Sequence, residues 1–377
     1  MKKKFNNIVH VWEIKGFVNI NKKFKDFIKN QLLLKYGSYQ KTSLVINKIT
    51  GMSISYFLRN EDSFTKISNL FRLTNAVNIS KNVVEKNIIE YRDHNSQQPI
   101  HIKFPFKFNP LILRIIAHIP GDGNIRKDGM ARWIQNNTKC MKILLKKLGF
   151  PINQTESKSV CIPRFLVKVN CLALKLQHTD LNSPKLIKKI IKLPRQYQIQ
   201  TILALIEDEA TIDANNYGII NIRLVNKDLI KSYSKLCDSL GYKRSNIIKK
   251  SNTGFGKGGV IYQFGILADG IRKLNIDYNT TVDKYSKLGG LWKKDIAFRE
   301  RCKKALSDKA LKYNEGREIT KKILKLLDIY KNLSVKKIYD LMNTDDYNRI
   351  YDRVKYLYKT RKIRRTSRGK YALIKYL

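Results

Sequence analysis

The feature that most constrains this chain is an internal repeat running from Asn109 to about Ile276. Each copy opens with an apolar stretch at helical spacing that ends in an acid, Leu111 to Asp122 in the first and Gln200 to Glu209 in the second. An extended run follows, Met130 to Asn137 and then Tyr217 to Asn226. Next comes an amphipathic helix closed by Leu148-Gly149-Phe150 or Leu240-Gly241-Tyr242, with glycine where a helix C-cap belongs. A further strand, Arg164 to Asn170 or Val260 to Ile266, leads into a last helix. Both copies read α-β-β-α-β-β-α, so the sequence predicts an α/β (α+β) core made of two fused, pseudo-symmetric repeats, which would make the protein a monomer.

The repeat-opening helices carry the chemistry. Ile115 to Ile125 and Ile202 to Ile212 each hold a small residue, Ala117 or Ala204, and five positions later an acid, Asp122 or Glu209. Ala117 and Gly121 lie one turn apart, and small residues let helix backbones approach closely. A carboxylate at a helix C-terminus faces the negative end of the macrodipole, and two such ends side by side are worse. Divalent cations between them would neutralise both. The acids stand 87 residues apart, one repeat length, so each copy would give one carboxylate to a shared centre.

These paired segments resemble the two LAGLIDADG motifs of single-chain homing endonucleases, over roughly residues 109 to 276. The resemblance implies a fold in which the motif helices meet at the repeat interface and antiparallel sheets form a saddle over double-stranded DNA. It implies Asp122 and Glu209 as catalytic ligands of Mg²⁺ (or Mn²⁺), and Ala117, Gly121 and Ala204 as the packing positions. The reaction implied is metal-assisted phosphodiester hydrolysis, for which all-oxygen ligands and water suffice. It also implies a basic residue near the acids, for which Lys168 is the candidate. The sequence departs from the motif at His118, Pro120, Asp208 and Ala210. His118 is expected to pack or hydrogen-bond in the core, and Asp208 to be an interface acid or ion-pair partner. A non-catalytic DNA-binding regulator and an intron RNA maturase on the same scaffold stay open as alternatives; an intein is not expected, for want of a nucleophilic first residue and a His-Asn end.

Alternating side chains on the repeat strands are the candidates for base contact in the major groove: Arg132, Gln135, Arg164, Arg223 and Gln263. Upstream, Ser43 to Asn60 resembles a repressor-like helix-turn-helix in which Ser53 caps a recognition helix bearing Ser55, Tyr56 and Arg59. Downstream, helical segments at 319–329, 335–342 and 347–359 precede a hairpin-like run turning near Arg368-Gly369. Three helices and a basic hairpin describe a winged helix, with Arg349, Arg353, Arg364, Arg365, Arg368 and Lys370 suited to phosphate. The glycine-rich run from Thr253 to Gly259 lacks the spacing of a nucleotide-binding loop. The expected organisation is a helical region at 1–95, a linker at 96–108, repeats at 109–193 and 194–290, a basic connector at 291–315 and the winged helix at 316–377.

Charge points the same way. With 75 Lys and Arg against 30 Asp and Glu the net charge is +45, which calls for a polyanion, and nucleic acid is the leading partner. Membrane association is not expected, since no apolar span, lipidation signal or signal peptide is evident, and a cytoplasmic location follows. The five cysteines, at 140, 161, 171, 237 and 302, show no zinc-site spacing, and the five histidines are scattered.

Overall fold

The computed structural model describes residues 5, 7–94, 98–152, 158–212, 219–251, 259–282, 294, 310–342, 344 and 346–374. The chain forms two compact units, Met1–Arg299 and Glu300–Leu377. Among the described residues no helix is long and apolar enough to cross a membrane.

The first unit begins with strands β1 (Ile8–Val9) and β2 (Phe17–Ile20) and helices α1 (Lys22–Tyr36), α2 (Tyr39–Ile46) and α3 (Gly51–Arg59). Strand β3 (Thr65–Lys66), helices α4 (Ile67–Ala76) and α5 (Lys81–Lys86) and strand β4 (Ile88–Arg92) follow. This region is more than helical, because β3, β2 and β4 form an antiparallel sheet in that order. The turn between α2 and α3 is capped by Thr50, whose hydroxyl accepts the Ser53 N–H; Ser53 itself lies inside the helix, which corrects the expected cap. Lys25 is buried on α1 and donates Nζ to the carbonyls of Asn60, Glu61 and Ser63, so the orphan acceptors after α3 are satisfied by α1. Burial lowers that ammonium to about 8.

The proline-punctuated stretch after β4 is tied to the body. Ile100 bridges Tyr91, and β5 (Phe106–Lys107) pairs with β1. Helix α6 (Pro110–Ala117) then starts at a capping Asn109 with proline at its first turn. Strands β6 (Gly123–Ile125) and β7 (Ala131–Ile134), helix α7 (Lys139–Lys147), strand β8 (Ser159–Ile162) and helix α8 (Arg164–Leu174) follow, so among the described residues the first expected copy reads α-β-β-α-β-α, one strand short of the expected pattern. After α9 (Pro184–Ile190) the second copy runs α10 (Arg195–Glu209), β9 (Ala210–Ile212), β10 (Ile220–Leu224), α11 (Lys227–Leu240), β11 (Ile248–Ser251), β12 (Val260–Ile266) and α12 (Ala268–Asp277). The sheets are antiparallel, ordered β6-β7-β8 and β11-β12-β10-β9. Gly149 and Gly241 take the left-handed conformation after α7 and α11, as a helix C-cap requires.

One element differs in kind from the sequence expectation. Arg164 to Asn170 is helical, not extended. Its β-branched residues suggest a strand, but Phe165, Leu166, Val169 and Leu174 fall on a buried helical face, and Pro163 sits at the N-cap. The strand is the segment just before it, Ser159–Ile162. The Thr253–Gly259 run falls outside the described residues apart from Gly259, as does most of the 291–315 connector.

The second unit contains α13 (Ala310–Tyr330), β13 (Leu333–Ser334), α14 (Val335–Met342), α15 (Tyr347–Lys359) and the hairpin β14 (Ile363–Ser367) and β15 (Lys370–Leu373), which turns through a left-handed Gly369. Ile323, Leu327, Ile338, Ile350, Val354 and Leu357 form its core.

Candidate functional site

Among the described residues, helices α6 and α10 pack on each other more extensively than any other pair of elements. Ala117 and Ala204, small and fully buried, lie in these helices, while Gly121 faces Asp208 so closely that a β-carbon there would sit 2.7 Å from the Asp208 Cβ. The two helices end differently. Helix α6 stops at Ala117, short of the expected Asp122, and residues 118 to 122 form a turn held by Ile119 N–H on the Ile116 carbonyl and Gly123 N–H on the Ile119 carbonyl. Pro120 explains the break, since its ring clashes with the preceding turn and it biases Ile119 away from helical geometry. With no proline in its last turn, α10 runs unbroken to Glu209. Both acids still occupy the same place in their copies: Asp122 directly precedes β6 and Glu209 directly precedes β9.

The electrostatics of this pair are unusual for carboxylates. Burial pushes Asp122 up to about 6, reinforced by Asp208, while a hydrogen bond from Gln135 and the charges of Lys294 and His118 pull it down. Burial likewise raises Glu209 to about 7, with Asp122 and Asp208 adding repulsion and Lys294 opposing them. The Gln135 amide donates to Asp122 Oδ2. Lys294 is the lysine coupled to all three acids, and its backbone N–H donates to Glu207 at 2.9 Å. Among the described residues no three His, Cys, Asp or Glu side chains gather as a metal cage.

Beneath the pair lies a buried polar cluster. His118 Nδ1 is 2.9 Å from both Asp208 oxygens, and the Trp133 indole N–H donates to Asp208 at 3.2 Å. Both members of the His118 and Asp208 pair are almost wholly inaccessible. Burial holds the Asp208 carboxyl well above the usual range, against the opposing influence of Trp133, Lys294 and buried Arg114. Asp208 therefore ties α10 to α6 and to β7 and does not face solvent as a ligand would.

The remaining predicted residues divide into groups. Lys168 is not placed at the acids: on α8 it pairs with Asp93 and donates to the Lys15 carbonyl. Arg164, also on α8 and not on a strand, pairs with Asp128 at 2.9 Å and Asp93 at 3.7 Å. Together with Tyr91 against Phe165, rings 5.1 Å apart, these contacts fasten the N-terminal sheet to the first repeat. Gln135 belongs to the acid centre, as above. Arg132 lies on the outward face of β7, between the buried Ala131 and Trp133. Arg223 is exposed on β10, and its Nε donates to the Gln263 side chain, whose amide in turn donates to Asn221. On α3, Tyr56 and Arg59 are exposed, Ser55 is half-buried, and the Arg59 guanidinium sits over the Tyr39 ring at 5.9 Å. In the second unit Arg364, Arg365, Arg368 and Lys370 are exposed on the hairpin. Arg353 instead donates Nε to the Gly316 carbonyl, which makes it a brace between α15 and α13, and Arg349 is half-buried at a helix start capped by Asp346. Lys294 escaped the sequence reading because it lies in the connector, 85 residues after Glu209, with no periodic pattern to mark it.

No family model matches the chain, and no curated protein matches it. Among solved structures it is similar to mesophilic variants of the homing endonuclease I-DmoI, at 16% identity over 51% of this chain and 97% of that one, with a TM-score of 0.30. It is similar to I-DmoI solved with DNA and calcium at 16% identity, over 51% and 97% of the two chains, with a TM-score of 0.29. Full-length DUF199/WhiA from Thermatoga maritima matches at 11% identity over 67% of this chain and 90% of that one, with a TM-score of 0.29.

Proposed function

We propose that the protein is a site-specific endonuclease of double-stranded DNA, built as a pseudo-symmetric homing-endonuclease core and working with divalent metal ions held between Asp122 and Glu209. The observation that carries this reading is the pair itself: two carboxylates from corresponding places in two copies, both held near neutrality by burial and repulsion. Carboxyls so raised are stabilised by a cation more than by solvent, and an oxygen-only donor set fits Mg²⁺ or Mn²⁺, with water and phosphate oxygens completing the shell. When bound, such ions supply charge neutralisation at the phosphate and a more acidic attacking water. The chain's own residues do the rest. Gln135 orients the Asp122 carboxylate, and Lys294 lowers the proton affinity of both acids. His118, Asp208 and Trp133 fix the helix ends that present them. In this reading the 42–79 region is a helix-turn-helix and the second unit a winged helix, both adding phosphate contacts beyond the core.

A second reading, a DNA-binding regulator without cleavage, is favoured by the departures beside the acids: α6 breaks at Ala117, before Asp122, and Asp208 is buried against His118. Incubation of the purified protein with plasmid carrying its uninterrupted insertion locus separates the readings. Linearisation that needs Mg²⁺ and stops in EDTA supports the nuclease. Tight binding to intact DNA in Mg²⁺ supports the regulator, and preferential binding of intron transcript supports a maturase.

A further inference from the structure

A cavity of about 270 Å³ lies away from the acid pair, between the N-terminal sheet and the first repeat. Its floor is apolar, with Tyr91, Ile100 and Phe165, and its charged lining is four arginines, Arg92, Arg126, Arg132 and Arg164, with one carboxylate, Asp93. The arginines are not equivalent. Arg164 is committed to Asp128 and Asp93, and exposed Arg126 approaches Asp128 at 3.7 Å. Arg92 is stacked on the Phe64 ring at 3.7 Å. Arg132 and Arg164 each have a buried Nε with no acceptor among the described residues, but Arg164 is held by its two carboxylates whereas Arg132 has no carboxylate partner among the described residues. A guanidinium nitrogen withdrawn from water without an acceptor is unfavourable unless an anion supplies one, and the planar fork of arginine matches phosphate oxygens.

We propose that this cavity is a phosphate site, filled by a backbone phosphate of the bound duplex, with Arg132 as its principal donor and Arg92 and Arg126 beside it. The proposal rests on the reading of the protein as DNA-binding. It changes the role of Arg132 from base reader to backbone clamp. It also makes the site composite: Arg92 ends β4 of the N-terminal sheet, Arg132 lies on β7 of the repeat, and the Asp93 pairs with Arg164 and Lys168 hold the two together.

The test is fluorescence anisotropy of full-length wild type, Arg132→Gln and Arg126→Gln on two duplexes of unrelated sequence across a salt series, with thermal melts confirming that the variants fold. Arg126 is 58% exposed, so its variant stands in if Arg132→Gln does not fold. The expected result is a loss of about tenfold in affinity for Arg132→Gln, equal on both duplexes, with the log–log salt slope reduced by about 0.9. Unchanged affinity in both variants overturns the proposal, as does a loss confined to one sequence, which would make Arg132 a base reader. If wild type binds neither duplex, the DNA-binding reading itself fails, and titration with inorganic phosphate then decides the site. Heat that disappears in Arg132→Gln would keep it as a site for free phosphate, and no heat would overturn it.

Discussion

His118 and Asp208, 90 residues apart in the chain, meet at 2.9 Å with side chains 0% and 1% exposed, one at the end of α6 and the other in the last turn of α10. Helix α10, which ends in Glu209, and the end of α6, from which the turn to Asp122 starts, are thus joined by a buried polar bond. Removing one partner of such a pair leaves the other a buried polar group without its partner, at a cost of about 1–3 kcal/mol. Asp208→Ala and His118→Ala should each lower stability on that scale in urea unfolding. The double variant His118→Leu, Asp208→Leu should restore part of it, because neither partner is left facing an empty place, while the buried Trp133 indole N–H still loses its acceptor. Additive losses in the double variant would mean that the two residues are not coupled.

Gly121 sits against that same carboxylate. An added methyl would meet Asp208 Cβ at 2.7 Å, so Gly121→Ala should destabilise the protein by about 1–3 kcal/mol. Gly129, left-handed but with open space around it, should show only the smaller penalty of its backbone conformation. Equal melting shifts for the two alanine variants would contradict the close helix approach.

Proton linkage gives a signed expectation. The folded protein holds Asp122 and Glu209 at about 6 and about 7, above their unfolded values. It therefore binds more protons than the unfolded chain, and these two groups make stability fall as pH rises from roughly 4, where unfolded carboxyls titrate, through about 7. A divalent ion binds the deprotonated pair and works in the opposite sense. In EDTA the stability difference between wild type and Asp122→Asn, Glu209→Gln should grow in the variant's favour from pH 5 to pH 8, and Mg²⁺ should stabilise wild type alone. A difference independent of pH would contradict the raised values.

The lysines separate by position. Lys294→Met removes the cation that lowers both acids, so the pH midpoint of Mn²⁺ binding should move upward. Lys168→Met should leave it in place, since its partners are Asp93 and the Lys15 carbonyl. Calorimetric Mn²⁺ titration at several pH values checks both, and a shift from Lys168→Met alone would reverse the assignment.

Much of this architecture was legible because it rests on short-range signals. Gly149 and Gly241 announced the ends of α7 and α11, and Gly369 the hairpin turn. The acids could be singled out as candidates because the motif occurs twice. What failed did so where tertiary packing overrides local pattern. Arg164 to Asn170 looks like a strand by its branched residues, yet folds as part of a helix because that spacing buries Phe165, Leu166 and Val169 together. Pro120 departs from the motif, but that the helix would stop at Ala117 depends on how the turn to Gly123 is closed. Gln135 was read as a groove-facing residue, because nothing local shows that β7 runs back past Asp122; the Ile134 N–H bonded to the Asp122 carbonyl at 2.9 Å makes that approach visible.

The decisive measurement is cleavage of plasmid bearing the target locus by wild type, Asp122→Asn and Glu209→Gln in Mg²⁺, with DNA affinity measured on the same preparations. Wild type should linearise the plasmid, and each variant should bind DNA while losing cleavage of the duplex. Full cleavage by either variant, or wild-type cleavage that persists in EDTA, would contradict a metal centre shared by Asp122 and Glu209.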